Sequence, residues 1–436
     1  MTRAYDIASG HKADPVDPAS GAHGTLVRSF LFVAVFLFLW VSSRPFQSLA
    51  EPPEISASGD FVNQAVYSGL FLLLGAWCLL HAPERLLLLI RPILILTLCW
   101  FALAVVTSWE PALSARRFIF MLMTVSLAGM VIIVPHNLRH FSTLLAIVVL
   151  IVLALCYFGV VFLPQLAIHQ ATDFAEPELA GNWRGLFGHK NDAGATMALF
   201  IFIGLFVART RSVMLGYAIA VLAAIFLFRT ESKTSIVLLP LVLILSSVMD
   251  QLRDPRLGVA LALAVLAAFG LLTIGSIYIG PIHDLVAAVL SDPTFTGRTD
   301  IWQFAIDHAL EHPVTGFGFA TFWGTDEVLH GMAASEKWVN AAGHAHNGYL
   351  DLALTVGIPG MVLATLWLVI CPMVDYCRAP RDAGTAPLRL LFLRICLFAA
   401  YQSCFESLFM EVGQSWFLLI TAAFGLRFLT LVPAAP

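Results

Sequence analysis

Residues 141–163 read FSTLLAIVVLIVLALCYFGVVFL, an apolar run without a charged side chain. As a helix it would be about 35 Å long, enough to cross the ~30 Å hydrocarbon core of a bilayer. It is apolar on every face, as a helix surrounded by lipid or protein must be. Comparable runs lie near 26–42, 65–81, 92–108, 118–134, 192–208, 213–228, 236–249, 258–279, 348–371, 389–405 and 409–427. The expected fold is therefore an all-α integral membrane protein, a polytopic bundle of about twelve transmembrane helices. Pro359 should kink the tenth.

Composition agrees. Hydrophobic residues make up 59% of the 436-residue chain and charged residues 12%, with a mean hydropathy of +0.86, whereas soluble domains carry about 25% charged residues. No soluble fold could hide that much apolar surface. The net charge of -4 leaves no basic face for nucleic acid. The seven cysteines sit in or beside apolar runs, which argues against a disulfide framework or a thiolate metal site. No small-residue cleavage site follows the first run, so a cleaved signal peptide is not expected.

Lys and Arg placement sets the orientation. With the N-terminus inside, fifteen of the 24 cations fall on the inner side; nine (Arg44, Arg116, Arg117, Arg184, Lys190, Arg229, Lys233, Arg298 and Lys337) fall outside. That bias favours N-in, C-in. The chain then divides into a disordered cytoplasmic tail (1–25), transmembrane helices 1–9 (26–279), a large periplasmic loop (280–346), transmembrane helices 10–12 (347–427) and a cytoplasmic tail (428–436).

Most outer cations gather at expected starts of even-numbered helices, whose positive dipole ends point outward. Arg116 and Arg117 precede the fourth span; His189 and Lys190 precede the sixth, where Asn191 or Asp192 would cap the helix. Lys233 precedes the eighth, and His346 with Asn347 opens the tenth. Such N-termini would make an anion-binding bowl if the bundle gathers them, and a lipid-linked diphosphate is an anion suited to that depth. The plainer reading is side chains reaching for lipid headgroups.

In the large loop, RTDIWQFAIDHALEH at 298–312 has the spacing of an amphipathic helix, with Thr299 to cap it and Pro313 to end it. Arg298 at its start offers a bidentate grip on phosphate, or pairs with Asp300 or a headgroup. The aromatic turn Gly316–Phe319 would cover the membrane surface or stack on sugars. His344 and His346 would share one side only in an extended chain. A neutral imidazole can take a proton from a sugar hydroxyl. The pair could instead bind zinc with Asp351 or His330, or be structural. The sequence holds no Walker-type loop, Asp-x-Asp pair or Gly-x-Ser-x-Gly elbow, so nucleotide-driven and serine-hydrolase chemistry are not expected.

Several segments together resemble the bacterial O-antigen ligase and polysaccharide polymerase family. They are WEPALSARR from Trp109, RGLFGHKN from Arg184, TESKTS from Thr230, GRTDIW from Gly297, HPVTGFGF from His312 and HAHNGYLDLALTVGIPG from His344. The wording of RGLFGHKN and SKTS is most similar to the exopolysaccharide polymerase branch, which Glu406 in CFES also matches. The resemblance implies an inverting, metal-independent glycosyltransferase without a cofactor, working on undecaprenyl-diphosphate-linked glycan in the bacterial inner membrane. Its essential loop histidine maps onto His346, and its diphosphate-holding cations onto Arg298 and the TESKTS segment, where Lys233 stands in place of the more usual arginine.

The expected site therefore joins His346, helped by His344, to a diphosphate cradle of Arg116, Arg117, Arg184, His189, Lys190, Lys233, Arg298 and Asn347, with Glu406 a possible member. Expected partners are the lipid-linked glycan donor, a glycan or lipid-linked acceptor, membrane lipids and other polysaccharide assembly proteins. The rival functions are a ligase that transfers glycan to a lipid A core, a flippase of the same lipid, which would need charges near mid-membrane and repeat symmetry, and an assembly factor without chemistry.

Overall fold

The computed structural model describes residues 18–41, 45–51, 61–290, 292–325, 328, 343–410 and 413–431. Arg44, His330, Lys337 and most of the expected tails lie outside these residues. The helices are α1 (Pro18–Val41), α2 (Phe61–His81), α3 (Pro83–Leu89), α4 (Pro92–Val106), α5 (Pro111–Ile133), α6 (Leu138–Phe162), α7 (Lys190–Thr210) and α8 (Val213–Thr230). They continue with α9 (Lys233–Gln251), α10 (Pro255–Thr273), α11 (Gly280–Val289), α12 (Arg298–Glu311), α13 (Gly348–Thr365), α14 (Cys371–Arg378), α15 (Ala386–Gln402) and α16 (Gln414–Thr430). The described residues form no strand, only an isolated bridge between Ile168 and Trp183.

This is an all-α polytopic membrane protein. Among the described residues nine helical stretches are long and apolar enough to cross a membrane, or ten if α3 and α4, bent 75° apart, make one span. That bend falls at Arg91, which is extended because it precedes Pro92. The last two expected spans fall on α15 and α16, each of 17 residues and mostly buried. The outer helices present Leu79, Leu80, Val161, Phe162, Met214 and Phe228 to the outside, exposed apolar side chains of the kind lipid covers.

Helix starts differ from expectation at several places. α1 begins at Pro18, inside the segment expected to be disordered. α5 begins at Pro111, with proline at its first position, so Arg116 and Arg117 lie in its second turn rather than before it. α7 is capped by His189, whose Nδ1 accepts from the Asn191 N–H at 3.1 Å, not by Asn191 or Asp192. α12 begins after Gly297 in the left-handed region, and Thr299 does not cap it.

α13 bends at Gly357 (φ 73°), two residues before Pro359. Pro359 has no N–H to return to the Thr355 carbonyl, and the loop after α12 supplies one: Gly318 N–H donates to Thr355 O at 3.1 Å and Phe317 N–H to Leu354 O at 2.9 Å. Ile358 N–H in turn donates to Pro313 O at 2.8 Å. A Cβ on Gly357 would lie 2.0 Å from Val314 O, so the approach requires glycine. Phe317 and Phe319, 1% exposed each, thus neither cover the membrane surface nor face sugars. They lock the loop into the bend, and α12 packs on α13 with Trp302, Ala305 and Ala309 buried.

Candidate active site

The site assembles at one end of the bundle. A Cβ on Gly194 would stand 2.4 Å from Ser232 Cβ, so this glycine lets the first turn of α7 press against the start of α9. Asn182 lies between the two starts, and with its amide turned so that the nitrogen faces the carboxylate it donates to Glu231 Oε2 at 3.1 Å and accepts from Lys190 Nζ at 3.1 Å. Lys190 and Lys233 therefore share one rim.

The centre is Glu406, in the connection from α15 to α16. Its Oε1 accepts from Arg298 Nη2 at 2.7 Å and from Asn191 Nδ2 at 2.8 Å, and its Oε2 lies 3.1 Å from His346 Nδ1. Arg298 also donates from Nη1 to the Phe405 carbonyl. Burial pushes the Glu406 carboxyl up, but Arg298 and the His346 hydrogen bond outweigh it and hold it down at about 2. An ionised carboxylate only accepts, so the neutral tautomer of His346 that fits this contact carries its proton on Nδ1 and leaves the lone pair on Nε2.

His344 is fixed by the same logic. The His346 backbone N–H donates to His344 Nδ1 at 3.2 Å, leaving the His344 proton on Nε2. Burial, reinforced by His346, holds this imidazole down at about 4, so it is neutral at physiological pH. The rings stand 4.1 Å apart. They meet because His346 turns into the left-handed region (φ 48°), not because the chain is extended. Asp351, one turn into α13, holds that turn: it accepts from Ala345 N–H at 3.1 Å, from Trp323 Nε1 at 2.8 Å and from the Ser407 hydroxyl.

Other expected members are placed differently. Asn347 caps α13, accepting from Tyr349 N–H at 3.1 Å and Leu350 N–H at 3.2 Å, and its Nδ2 donates to Cys404 O at 3.2 Å; it is a scaffold residue. Arg184 is 1% exposed and donates to Phe187 O at 2.9 Å and Gln47 O at 2.6 Å, so it pins a loop and presents no face to an anion. His189 spends Nδ1 on the α7 cap and sits with Nε2 2.9 Å from Glu176 Oε2. Arg117 donates to the Ala320 carbonyl, with Arg116 half-buried beside it. The structure thus brings together His344, His346, Arg298, Asn191 and Glu406, and ties Arg184, His189 and one donor of Arg117 to protein partners.

Glu406 and Asn191 were the residues hardest to place from sequence. The signal for Glu406 was a carboxylate closing an otherwise apolar run, and for Asn191 a polar side chain one residue past a basic pair.

Arg298 keeps donors beyond the two it spends on Glu406 and Phe405, because a guanidinium carries five N–H groups in a fixed fork. It is 16% exposed, so one edge still faces the site. The geometry therefore offers an imidazole oriented by a carboxylate that also holds a guanidinium. That combination can deprotonate a hydroxyl next to a departing anion.

Comparison with known proteins points the same way. Residues 196–365, which hold Lys233, Arg298, His344 and His346 but not Glu406, match the family model described as O-Antigen ligase. The exopolysaccharide production protein ExoQ of Rhizobium meliloti (strain 1021) is 29% identical over 199 residues, which cover 42% of this chain. The chain spans less than half of that relative's length, 45%. Together the two matches support the O-antigen ligase and polysaccharide polymerase family as that of this multi-pass membrane protein.

Proposed function

We propose that the protein is a membrane glycosyltransferase that polymerises glycan repeat units carried on undecaprenyl diphosphate, at the periplasmic face of a bacterial inner membrane. The observation that carries the reading is the Glu406 carboxylate, which joins Arg298 and His346 and aims the His346 lone pair away from itself. The acceptor hydroxyl oxygen attacks the anomeric carbon and its proton passes to His346 Nε2. The bond from that carbon to the diphosphate breaks, and the electron pair leaves with the diphosphate. A single displacement of this kind inverts the anomeric centre. Arg298, Lys190 and Lys233 meet the leaving charge, which is electrostatic catalysis at a water-poor site.

The surplus of cations at the opposite helix ends supports the outward orientation. Similarity to an exopolysaccharide production protein favours polymerisation over transfer to a lipid A core. The test is purified full-length protein in nanodiscs with a lipid-linked repeat unit. Lengthened glycan and free undecaprenyl diphosphate are expected, with His346→Ala slower by roughly 10²–10⁴-fold. A wild-type protein that moves the lipid-linked unit between leaflets without lengthening it would be a flippase, and the proposal would fall.

A further inference from the structure

Asn191 is held at both ends. Its side-chain Nδ2 donates to Glu406 Oε1 at 2.8 Å, and its backbone N–H donates to His189 Nδ1 at 3.1 Å. An ionised carboxylate only accepts, so the contact with Glu406 fixes which way the Asn191 amide points. On the far side of the imidazole, His189 Nε2 lies 2.9 Å from Glu176 Oε2. The two contacts of the ring agree on one neutral tautomer, with the proton on Nε2 toward the carboxylate and the lone pair on Nδ1 toward the N–H. Histidine is an unusual choice for a helix cap, where Ser, Thr, Asp or Asn does the same with less side chain; Asn347 caps α13 in that ordinary way. What the longer imidazole adds is its second nitrogen, which reaches out of α7 to the loop before it.

That loop is tied down. His169 N–H donates to Asn182 O and Gly181 N–H returns to His169 O, both at 2.9 Å. The buried Asp173 carboxylate accepts from Gln170 N–H at 3.1 Å and lies 2.9 Å from His169 Nδ1, and the His169 ring meets His189 edge-on at 5.4 Å. A chain of contacts thus runs through Glu176, His189, Asn191, Glu406 and His346. We propose that His189 is a positioning residue: anchored by Glu176, it sets the first turn of α7 so that Asn191 holds Glu406 in register with His346. This rests on the glycosyltransferase reading, and it gives His189 a role other than holding the diphosphate. The register needs the neutral ring, because a protonated Nδ1 would face the Asn191 N–H donor to donor. Burial disfavours the charged ring, but Glu176, Asp192 and Glu406 outweigh it and raise the His189 pKa, so the register is firm on the alkaline side of that value.

The test uses purified full-length protein and a lipid-linked repeat unit at alkaline pH, where His189 is neutral. Nitrogen NMR of isotope-labelled histidine accompanies the kinetics, with the His346 resonance identified by its loss in His346→Ala. His189→Ala and Asn191→Ala should each lower kcat roughly tenfold with KM little changed, since a displaced base costs rate before binding, and each should shift the His346 Nδ1 resonance. The double variant should be no slower than Asn191→Ala, because a residue that acts only through Asn191 then has nothing left to position. His189→Asn and Glu176→Ala keep a cap and lose only the anchor, so each should stay within a few-fold of wild type. Losses that multiply in the double variant would overturn the positioning role. So would His189→Asn as slow as His189→Ala, or a His189→Ala loss confined to KM, as an imidazole that grips diphosphate would give. If wild type extends no glycan, the enzyme reading falls and the His346 resonance alone decides the register: shifted in His189→Ala, the register stands; unmoved, it falls too.

Discussion

His346 Nδ1 and Glu406 Oε2 stand 3.1 Å apart across sixty residues of sequence, and in the proposed reaction this contact decides which nitrogen of the imidazole would be the base. Glu406→Gln tests it directly. The amide can still offer an oxygen to Arg298, but its nitrogen then donates to His346 Nδ1 and drives the ring proton to Nε2, where the base must be bare. The expected outcome is a fall in kcat of roughly 100-fold or more, with KM for the lipid-linked substrate within a few-fold of wild type, by analogy with tautomer-fixing carboxylates in hydrolytic triads. A loss confined to KM would show that Glu406 serves substrate binding instead.

Arg298 makes a second contact with the same carboxylate while donating to the Phe405 carbonyl. Lysine keeps the charge but cannot reach two protein acceptors and a phosphate from one planar fork. Arg298→Lys should therefore lose at least ~10-fold in kcat/KM, and Arg298→Ala ~10²–10³-fold, within the range for removing one charge-stabilising donor. Steady-state kinetics on the lipid-linked unit measures both. Full activity in Arg298→Lys would mean that only net charge matters at this point.

These contacts explain what could and could not be read in advance. Apolar runs are a property of the chain itself, so every span expected from sequence falls on a helix, and Trp302 with Ala305 and Ala309 could be assigned to the packed face of α12 from spacing alone. His346 and Arg298 stand out as candidates in the sequence because both side chains can carry chemistry and sit outside the apolar runs. Glu406 offers only a weak local signal, a carboxylate closing an apolar run, because its contacts lie with partners 60 and 108 residues away. The surroundings of the cations were hidden for a related reason. Sequence counts charge at helix starts, but the buried Arg184 spends its donors on the Phe187 and Gln47 carbonyls, which only the folded loops supply. Likewise the two glycine-rich stretches around Gly318 and Gly357 were visible singly, while their joining at the α13 bend was not.

Acid should destabilise the site in two steps. His344 is held at about 4, below its ordinary 6.5, so the unfolded chain takes up its proton first and stability declines as pH falls from 6.5 toward 4. Glu406, held at about 2 against an ordinary 4.5, gives stability that is whole above 4.5 and lost as pH falls through 2. The two windows adjoin and have the same sign. His344→Asn keeps an oxygen for the His346 N–H but removes the titrating ring. Thermal midpoints in detergent between pH 7 and 4 should slope downward in wild type and less steeply in this variant, the remainder coming from histidines such as His140, also held at about 4. Equal slopes would remove His344 as the cause.

Asp351 supplies the last prediction, because it touches neither substrate cation nor His346 and yet sets where His346 stands. Its Oδ1 accepts from Trp323 Nε1 and Ala345 N–H, and its Oδ2 from the Ser407 hydroxyl, so one side chain ties the histidine turn to α13, to the large loop and to the connection that bears Glu406. Asparagine can keep the first two bonds through its oxygen, and Ser407 can turn its hydroxyl to accept from the amide nitrogen. Alanine releases all three donors and leaves the Ala345 N–H unpaired beside a turn already held at positive φ. If Asp351 acts by position, Asp351→Asn stays within a few-fold of wild-type kcat, whereas Asp351→Ala loses roughly 100-fold in kcat with little change in KM, since a displaced base costs rate before binding. A merely structural role would lower expression and thermal stability in Asp351→Ala without separating kcat from KM. Should Asp351→Asn be as inactive as Asp351→Ala, the negative charge of Asp351, and not the geometry it imposes, is what His346 requires.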